Sequence, residues 1–413
     1  MTGRIILDGS TLSIAERTAL LEVVGPHFDA GCDLLDADDV FIEDISPDFV
    51  AEGSSVGHGI YRPLHGTARL LVSRELQWGF QRVRPYMLVA SAGPARDYLL
   101  SDSGEVLLTD DGATYFAGAR LPVTWYRFNL GVFLLSTPQR DSASTPPLWS
   151  VDCYSKLKVL STPYGSSYTI AAGANVVEAV EALIVEAGET KVNITPSSAV
   201  QLSVRSFSLG RSDNDDGSAQ EWTALGICNA LLNSIGYRAL TDDEEGFFVS
   251  VPYQAPDQLG PMASYSADSP TTTVGEDRTA VADFFDAANV VIGINTDLGQ
   301  DAIPVPDNGI ATRSNAADGP TSIAGRGDTE YRRIISGSFA SQDALVTAVE
   351  SALNDEKRIT TRVEIMVSPN PAHGHFDVVN YRDDQLSVNG RFLVTDWDLP
   401  LNGGDMRLSL REV

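Results

Sequence analysis

Apolar and polar residues alternate along the end of the chain as they do in strands that have one buried face. Three runs show this pattern: 376–381, 391–396 and 406–411. Val388-Asn389-Gly390 separates the first two runs, and Asn402-Gly403-Gly404-Asp405 separates the last two. Because asparagine and glycine favour tight hairpin turns, both segments are predicted to be turns. Residues 358–413 are therefore predicted to form a small four-stranded C-terminal β-barrel.

Runs rich in β-branched, aromatic and leucine residues also dominate the N-terminal part. The predicted strands are Val40–Ile45, Thr67–Ser73, Arg82–Ala90 and Trp125–Leu135. Clusters of Gly, Pro, Asp and Ser separate them, which is typical of strands joined by turns. Between about 93 and 121 the chain resembles a β-hairpin, either an ordinary surface hairpin or an interaction arm. Residues 1–152 are predicted to be an N-terminal β-barrel with this inserted hairpin.

The middle of the chain changes to helical spacing. Asn175 is followed three residues later by Glu178, which is the spacing of a helix capping box. Apolar residues then recur at helical intervals over 176–187, so this segment is predicted to be a helix with one buried face. Ser218 and Glu221 repeat the capping signal, and a second helix is predicted to follow them.

These helices predict an α+β domain over residues 153–275, followed by a connecting segment over 276–357. The predictions within that segment are a short helix over 277–287, a strand over 288–297, a loop over 299–329 and a helix capped by Ser341. A loop of that length inside a compact protein is usually functional or disordered.

The complete pattern predicts an α+β fold that is mainly β, in which two small β-barrels bracket the α+β domains. A chain of 413 residues has the length of two or three domains. Cys32, Cys153 and Cys228 lie far apart without any CxxC spacing, so they are predicted to be buried in a fold that does not depend on disulfides. The sequence contains no apolar run long enough to span a membrane.

The charge of the chain excludes one class of function. The sequence has 29 Lys and Arg against 56 Asp and Glu, a formal net charge of −27. Affinity for nucleic-acid phosphates needs clustered Lys and Arg, so a nucleic-acid-binding surface is not expected. A strongly negative field keeps a protein soluble and repels DNA, which also suits a surface past which DNA slides without binding.

The histidines offer the first candidates for chemistry. His373 and His375 could place two imidazoles on one face of a strand as a metal pair. A pair of turn histidines after Pro371 is the preferred interpretation, because no third ligand lies nearby in the sequence. His58 and His65 are likewise assigned to a turn or a strand end rather than to catalysis.

Two short motifs are further candidates, and both are discounted. Ser212 to Gly217 resembles the first half of a calcium loop. Ser212 and Thr223 would then occupy the first and twelfth positions, where Asp and Glu are required, so a solvated acidic loop is preferred. Arg326-Gly327-Asp328 matches a cell-adhesion tripeptide, which three residues often match by chance.

Sequence motifs of known enzyme classes are not found. The sequence has no HExxH, no GxSxG, no Walker loop and no GxGxxG that opens a helix after a strand. Acidic residues are abundant, but their number alone does not indicate a glycosidase pair. The chain is therefore predicted not to be an enzyme, and no catalytic, cofactor-binding or metal-binding residue is assigned.

Several stretches together resemble the tail-hub family of long-tailed actinobacterial phages. The stretches that carry the resemblance are 125–141, 149–160, 167–184, 222–240 and 248–256. The closing segment 376–413 is similar in layout to the last barrel of phage baseplate hubs and late-control proteins. The resemblance covers most of the chain from about residue 40 onward and depends on the pattern of the whole chain rather than on a catalytic signature.

The resemblance implies a structural role in the virion, at the tail tip, after assembly in the host cytoplasm. It implies a homotrimeric ring that continues the tail tube, with the distal tail protein, the C-terminus of the tape measure protein and a tip fibre or other minor tail proteins as partners. DNA would pass through the ring without specific binding. Two competing interpretations are a receptor- or carbohydrate-binding tail module, with Trp78, Trp149 or Trp222 stacking on sugars, and a hydrolase, for which no motif exists.

Overall fold

The structure is a computed structural model of the chain. The described residues are 5–21, 27–62, 64–90, 124–141, 147–201, 204–207, 222–268, 274–282, 287–295, 309–317, 319–337, 342–357 and 361–413. The hairpin predicted between about 93 and 121 and the calcium-like loop from Ser212 to Gly217 lie outside these residues.

Strands outnumber helices in the described residues, so the predicted mainly β, α+β fold is confirmed. The strands are β1 Ile5–Asp8, β2 Phe28–Leu35, β3 Phe41–Asp44, β4 Phe49–Gly59, β5 Gly66–Val72, β6 Arg82–Ala90, β7 Thr124–Asn129, β8 Phe133–Asp141, β9 Leu148–Ser155, β10 Tyr168–Ile170, β11 Val192–Ile194, β12 Arg205–Phe207, β13 Thr241–Asp242, β14 Phe248–Ser250, β15 Pro261–Ser266, β16 Val274–Ala282, β17 Val290–Asn295, β18 Ile310–Ser314, β19 Arg332–Gly337, β20 Thr361–Val367, β21 Val378–Asp383, β22 Val388–Pro400 and β23 Met406–Glu412. The α-helices are α1 Ile14–Leu21, α2 Leu157–Leu160, α3 Val176–Glu186, α4 Ala224–Ser234 and α5 Gln342–Lys357.

One hydrogen-bonded sheet of 15 strands, called here the framework, unites the two strand-rich ends of the chain. Its main path runs β1-β7-β6-β8-β9-β5-β4-β22-β23-β20-β16, with β2, β3, β15 and β21 attached at its sides. Residues from both ends, such as Val56, Val151 and Leu408, share one buried apolar core. The two ends therefore bury apolar surface together, which is the main stabilising term in such a sheet.

The joint between the two ends is the antiparallel pair of β4 and β22. Gly59 stands opposite Asp396, and Ser55 stands opposite Pro400. A Cβ atom at position 59 would lie 2.5 Å from Oδ2 of Asp396, so glycine allows this close approach. The same carboxylate of Asp396 forms a salt bridge with Arg62, at 2.6 Å.

The second unit, called here the middle unit, comprises the described residues between 157 and 250. Helices α3 and α4 pack beside two small sheets, β10-β12 and β11-β14-β13, and bury Val180 and Leu231 in a separate apolar core. Asn175 caps α3 by accepting hydrogen bonds from the backbone N–H groups of Val177 and Glu178. This cap and the buried face of α3 confirm the helix predicted from the sequence.

A third, smaller group of elements contains β17, β18, β19 and α5. Strand β17 pairs with β18 in antiparallel and with β19 in parallel orientation. Leu345 and Val349 of α5 pack on Val291 of β17. The long loop predicted over 299–329 was wrong in part, because residues 310–314 pair with β17 as a strand; Ser341, the predicted cap, lies outside the described residues.

Other predicted elements are shifted or wrong. The helix predicted over 277–287 is wrong where the structure describes it, because β16 pairs with β20 as a strand; Arg278 thereby reaches the fully buried Asp383 at 2.9 Å. The single strand predicted over Trp125–Leu135 is two strands, β7 and β8. They are separated at Gly131, whose φ of 111° is accessible to glycine and strained for other residues.

Two local signals were also assigned to the wrong residues. Helix α4 is capped by Thr223, whose hydroxyl accepts from the N–H of Gly226, rather than by the predicted pair Ser218 and Glu221. The turn predicted at 388–390 lies in β22, and the chain turns at 384–387 instead. The carboxylate of Asp383 holds that turn by accepting from two backbone N–H groups.

The cysteines are buried and free, as predicted, at positions 32, 153 and 228. Within the described residues, no helix combines the length and the apolar character needed to cross a membrane. The division of the chain into domains at 152, 275 and 357 stays a prediction.

Candidate functional site

Three of the five histidines lie together where the framework meets the middle unit. His58 lies on β4, His65 just before β5, and His375 in the loop between β20 and β21. The ring centroid of His375 is 4.8 Å from that of His58 and 5.6 Å from that of His65. Trp397 of β22 packs on His58 with 4.5 Å between centroids. The three histidines and the adjacent Asp242 of β13 are called here the histidine junction.

A backbone carbonyl orients the central imidazole. Nε2 of His375 lies 3.1 Å from the carbonyl oxygen of Asp242 and donates to it, because a carbonyl oxygen only accepts. In the neutral ring, Nδ1 of His375 therefore carries a free lone pair. Among the described residues, this Nδ1, Nδ1 of His65 and Oδ1 of Asp242 are buried and have no hydrogen-bond partner. Most buried polar atoms are paired, so this group of atoms distinguishes the junction from ordinary core.

Burial disfavours the charged forms of all four side chains. It lowers the pKa of His58 from 6.5 to about 4, and it lowers the pKa of His65. The pKa of His375 falls well below its ordinary value, first because of burial and then because positive charge on His58 or His65 would repel it. Burial raises the pKa of Asp242 from 3.8 to about 7. The three imidazoles are therefore neutral at pH 7.

A cavity of about 240 Å³ opens beside the histidine junction. The framework contributes Trp397 and Phe376 to its walls, and the middle unit contributes Arg238 and Glu244. The guanidinium of Arg238 lies over the ring of Phe376, 4.6 Å from its centroid. The arrangement supports one kind of chemistry directly: uptake of protons by imidazole lone pairs at a boundary between two units.

His373 and His375 are turn residues whose rings contact different partners. Nε2 of His373 lies 2.8 Å from the hydroxyl of Tyr265, and its Nδ1 lies 3.1 Å from Asp377. His375 turns instead towards Asp242. Within the part of the chain that the structure describes, no group of three or more His, Cys, Asp or Glu side chains is placed to hold a metal ion.

A second cluster, called here the charged seam, joins the framework and the middle unit through buried ions. It consists of Asp39, Arg82, Lys156 and Glu189, all of which are buried. The Lys156 ammonium donates to Asp39 at 2.6 Å and to the carbonyl oxygen of Gly246 at 2.8 Å, and it lies 2.9 Å from Glu189. Arg82 bridges the same two carboxylates, at 2.7 and 2.6 Å. Lys191, whose side chain is 27% exposed, also lies 3.8 Å from Asp39. Two buried cations and one partly exposed cation therefore neutralise the two buried carboxylates.

A more exposed ion-pair group lies beside the charged seam. The buried carboxylate of Asp33 binds Arg84 at 2.9 Å and Arg127 at 2.5 Å. Arg84 also reaches Glu245 of the middle unit at 2.5 Å. The side chain of Glu245 is 43% exposed, so water screens this contact more strongly than the contacts of the seam.

The remaining sequence candidates have internal structural roles. Arg326 donates to the carbonyl oxygen of Ala287 at 2.7 Å and lies over the ring of Tyr331, so the adhesion-like tripeptide is tied to its own fold. Trp78 and Trp149 pack together, with 5.5 Å between ring centroids, against the framework core.

Sequence reasoning missed the histidine junction because it treated each histidine with its neighbours in the chain. The pairing of β4 with β22 and the loop before β21 bring together residues more than 300 positions apart. One local signal was present: all three histidines are flanked by glycine, in Gly57-His58-Gly59, His65-Gly66 and Gly374-His375. A Cβ atom at position 66 would lie 3.0 Å from Cε1 of His58, so this glycine allows the rings to approach.

Comparison with known proteins gives a likeness in fold. No family model matches the sequence, and no curated protein matches it. A tail protein from Neisseria meningitidis MC58 superposes with a TM-score of 0.56 at 11% identity, over 93% of this chain and 97% of its own. The 43 kDa tail protein of prophage MuSo2 from Shewanella oneidensis gives 0.53 at 10% identity, over 93% and 98%.

A third solved structure agrees with these two. Prophage tail protein gp18 from Listeria monocytogenes EGD-e superposes with a TM-score of 0.51 at 10% identity, over 92% of this chain and 94% of its own. Each of the three superpositions covers more than nine tenths of both chains, so each includes both the framework and the middle unit. The chain therefore shares the fold of these three tail proteins along nearly its whole length.

Proposed function

We propose that this protein is a structural hub of the tail tip of a tailed bacteriophage. The observation that carries the proposal is the likeness of fold to three tail proteins, two of them from prophages, each covered almost from end to end. Coverage of this extent leaves little of the chain for an additional catalytic domain. Within the described residues, the main buried clusters of charged and titratable groups are structural joints, so we also propose that the protein is not an enzyme.

The proposed assembly is a homotrimeric ring that continues the tail tube. Strand β3 supports contacts between subunits, because among the described strands it pairs only with β2. Phe41 is 54% exposed on this strand, next to the exposed Val40 and Ile42. An open sheet edge with apolar side chains is a template for pairing with another chain.

In this proposal the ring forms a passage in the virion rather than a binding surface. It joins the distal tail protein above to a tip fibre or another minor tail protein below, with the C-terminus of the tape measure protein inside. The net charge of −27 supports passage of DNA without specific binding, because carboxylates on the wall repel phosphates. Assembly takes place in the host cytoplasm, and the sequence resemblance points to a long-tailed actinobacterial phage.

Mass measurement and imaging of the purified protein test the proposal. Light scattering over a range of concentrations should show a species of about three times the 44.3 kDa subunit mass. Negative-stain images should show a ring with a hole wide enough for a DNA duplex. Particles without a central opening at every concentration, or a ring that retains duplex DNA at low salt, would contradict it.

A variant of the open edge makes the test specific. Ile42→Asp adds a charge to an exposed position of β3 and leaves the buried core untouched, so the subunit should fold normally. The association constant of the trimer should fall at least about tenfold, which corresponds to about 1.4 kcal/mol. Val185→Asp, at an exposed position of helix α3, is the matched control and should leave the trimer unchanged.

The alternative function is a receptor- or carbohydrate-binding tail module. The half-buried pair of Trp78 and Trp149 favours it, because Phe80 nearby in the sequence is 77% exposed and aromatic faces stack on sugars. Binding of the isolated protein to a glycan array, abolished in Phe80→Ala, would favour this function over the hub.

A further inference from the structure

The histidine junction joins segments that are far apart along the chain. His58 and His65 belong to the N-terminal strands of the framework, and His375 belongs to a C-terminal loop. The bond from His375 to the carbonyl oxygen of Asp242 crosses to the middle unit and spans 133 residues of sequence. The junction is thus a contact between units, and its cavity gives protons from solvent a place to enter.

The charged groups around the junction are largely engaged elsewhere. Asp377, which faces His375, already binds His373 at 3.1 Å and the N–H of Gly374 at 2.8 Å. Lys156, whose backbone N–H is 3.4 Å from the carboxylate of Asp242, is held in the charged seam, and Arg62, which faces His58, is bound to Asp396.

The remaining charged groups near the junction lie on the cavity wall of the middle unit. They are Arg238, Asp243 and Glu244. No carboxylate among the described residues binds His58 or His65 at salt-bridge distance, so a positive charge on those rings would lack a partner there.

We propose that the histidine junction is an acid-sensitive clasp: its neutral imidazoles hold β13 of the middle unit against the framework, and their protonation in mild acid separates the two. Each ring takes one proton from solvent at its free nitrogen, and no other reactant is needed. Two imidazolium rings with centroids 4.8 Å apart repel each other in a partly dry site. The open form relieves this repulsion by exposing the rings to water.

Proton uptake by Asp242 changes the stability of the closed form in the opposite sense to proton uptake by the histidines. The closed form raises the pKa of Asp242 to about 7, so the closed form takes up a proton there as the pH falls and gains stability. The histidines have lowered pKa values in the closed form, so the open form takes up their protons and gains stability instead. The two kinds of group therefore give stability changes of opposite sign as the pH falls, and a neutral side chain at either kind of position favours the closed form.

Hydrogen exchange of the full-length protein between pH 7.5 and 4.5 tests the clasp, with rates corrected for the intrinsic pH dependence of amide exchange. Peptides that cover 238–250 and 371–376 should gain exchange together as the pH falls. His375→Gln keeps an amide N–H near the position of Nε2 but does not titrate, so its opening should move down by about one pH unit. His27→Gln is the control, because His27 is exposed and packs on Trp125, away from the junction.

Asp242→Asn gives a second, independent readout that does not need the His375 variant to fold. Its opening should move to lower pH, because asparagine stays uncharged and the closed form no longer bears the cost of burying an ionised carboxylate. Exchange in 238–250 that stays constant over the whole pH range in the wild-type protein would overturn the proposal. An equal pH response in His375→Gln, Asp242→Asn and the wild-type protein would overturn it as well.

Discussion

The charged seam and the histidine junction connect the same two units by opposite electrostatic means. In the seam, Lys156 and Arg82 are buried as cations, and two carboxylates at 2.6 to 2.9 Å neutralise them. In the junction, three buried or half-buried imidazoles stay neutral instead, and among the described residues no carboxylate binds His58 or His65 at salt-bridge distance. A buried charge is tolerated when it is paired, and an unpaired titratable group is tolerated when it gives up its charge.

The difference teaches which joint responds to solution conditions. The seam is held by salt bridges from a lysine and an arginine to two carboxylates. The junction can change its charge by taking up protons, because its ionisable groups are histidines. We therefore expect the charged seam to be a permanent attachment between the framework and the middle unit, and the histidine junction to be an adjustable one.

The largest expected effect comes from removing one ion of the seam. Lys156→Met leaves Asp39 and Glu189 with Arg82 as their one buried cation, and the free energy of unfolding should fall by about 3–5 kcal/mol. Urea unfolding measures the change. Lys158→Met, at an exposed position two residues away, is the control and should change stability by less than about 0.5 kcal/mol. Equal losses in both variants would contradict the paired-charge account of the seam.

A smaller effect is expected from the titration of His58. The unfolded chain binds a proton at this residue below pH 6.5, whereas the folded chain does so only near pH 4. Its contribution to stability is thus complete above pH 6.5 and is lost as the pH falls towards 4. Between pH 7 and pH 5 the loss is about 2 kcal/mol.

Comparison of His58→Gln with the wild-type protein isolates this contribution, because Asp242 changes stability in the opposite sense in both proteins. Urea unfolding at pH 7 and pH 5 should show a drop that is about 2 kcal/mol smaller in His58→Gln. Identical drops would show that His58 titrates alike in the folded and unfolded chains. His27→Gln should behave like the wild-type protein.

The smallest effect is expected at the exposed edge of the seam region. Glu245→Gln weakens a salt bridge to Arg84 in which the carboxylate is 43% exposed, and stability should fall by only about 0.5–1 kcal/mol. Thermal unfolding at low and high salt checks the origin of the effect, since 1 M salt should remove most of it through screening. A loss that is unchanged by salt would place this pair with the buried ions of the seam.

The parts of the fold that depend on neighbours in sequence could be predicted. The cap at Asn175 and the apolar face of α3 were correct because both arise within a few turns of one helix. The turn at 388–390 was wrong because Asp383 provides stronger local bonds to the chain just before it. The helix over 277–287 was wrong because pairing with β20 decides the conformation of that segment. The spacing of apolar residues within a segment carries no information about a distant strand that pairs with it.

The candidate site was less accessible to sequence reasoning. Each histidine of the junction was correctly placed at a turn or a strand end, yet nothing in its local pattern indicates which others it meets. Lys156 of the seam carries no signal either, because a buried lysine has the same letter as a surface lysine, and only the fold supplies its partners. Contacts between units remain the least predictable part of this chain.

The pairing of β4 with β22 has a consequence for synthesis of the protein. Glu52 and Asn402 form a hydrogen bond across this joint although they are 350 residues apart. At roughly 5–20 residues per second, a ribosome needs on the order of 20–70 seconds between these two codons. During that time the edge of β4 has no partner strand, because β22 has not been synthesised. A nascent chain that stalls late therefore exposes an open sheet edge and is prone to aggregate.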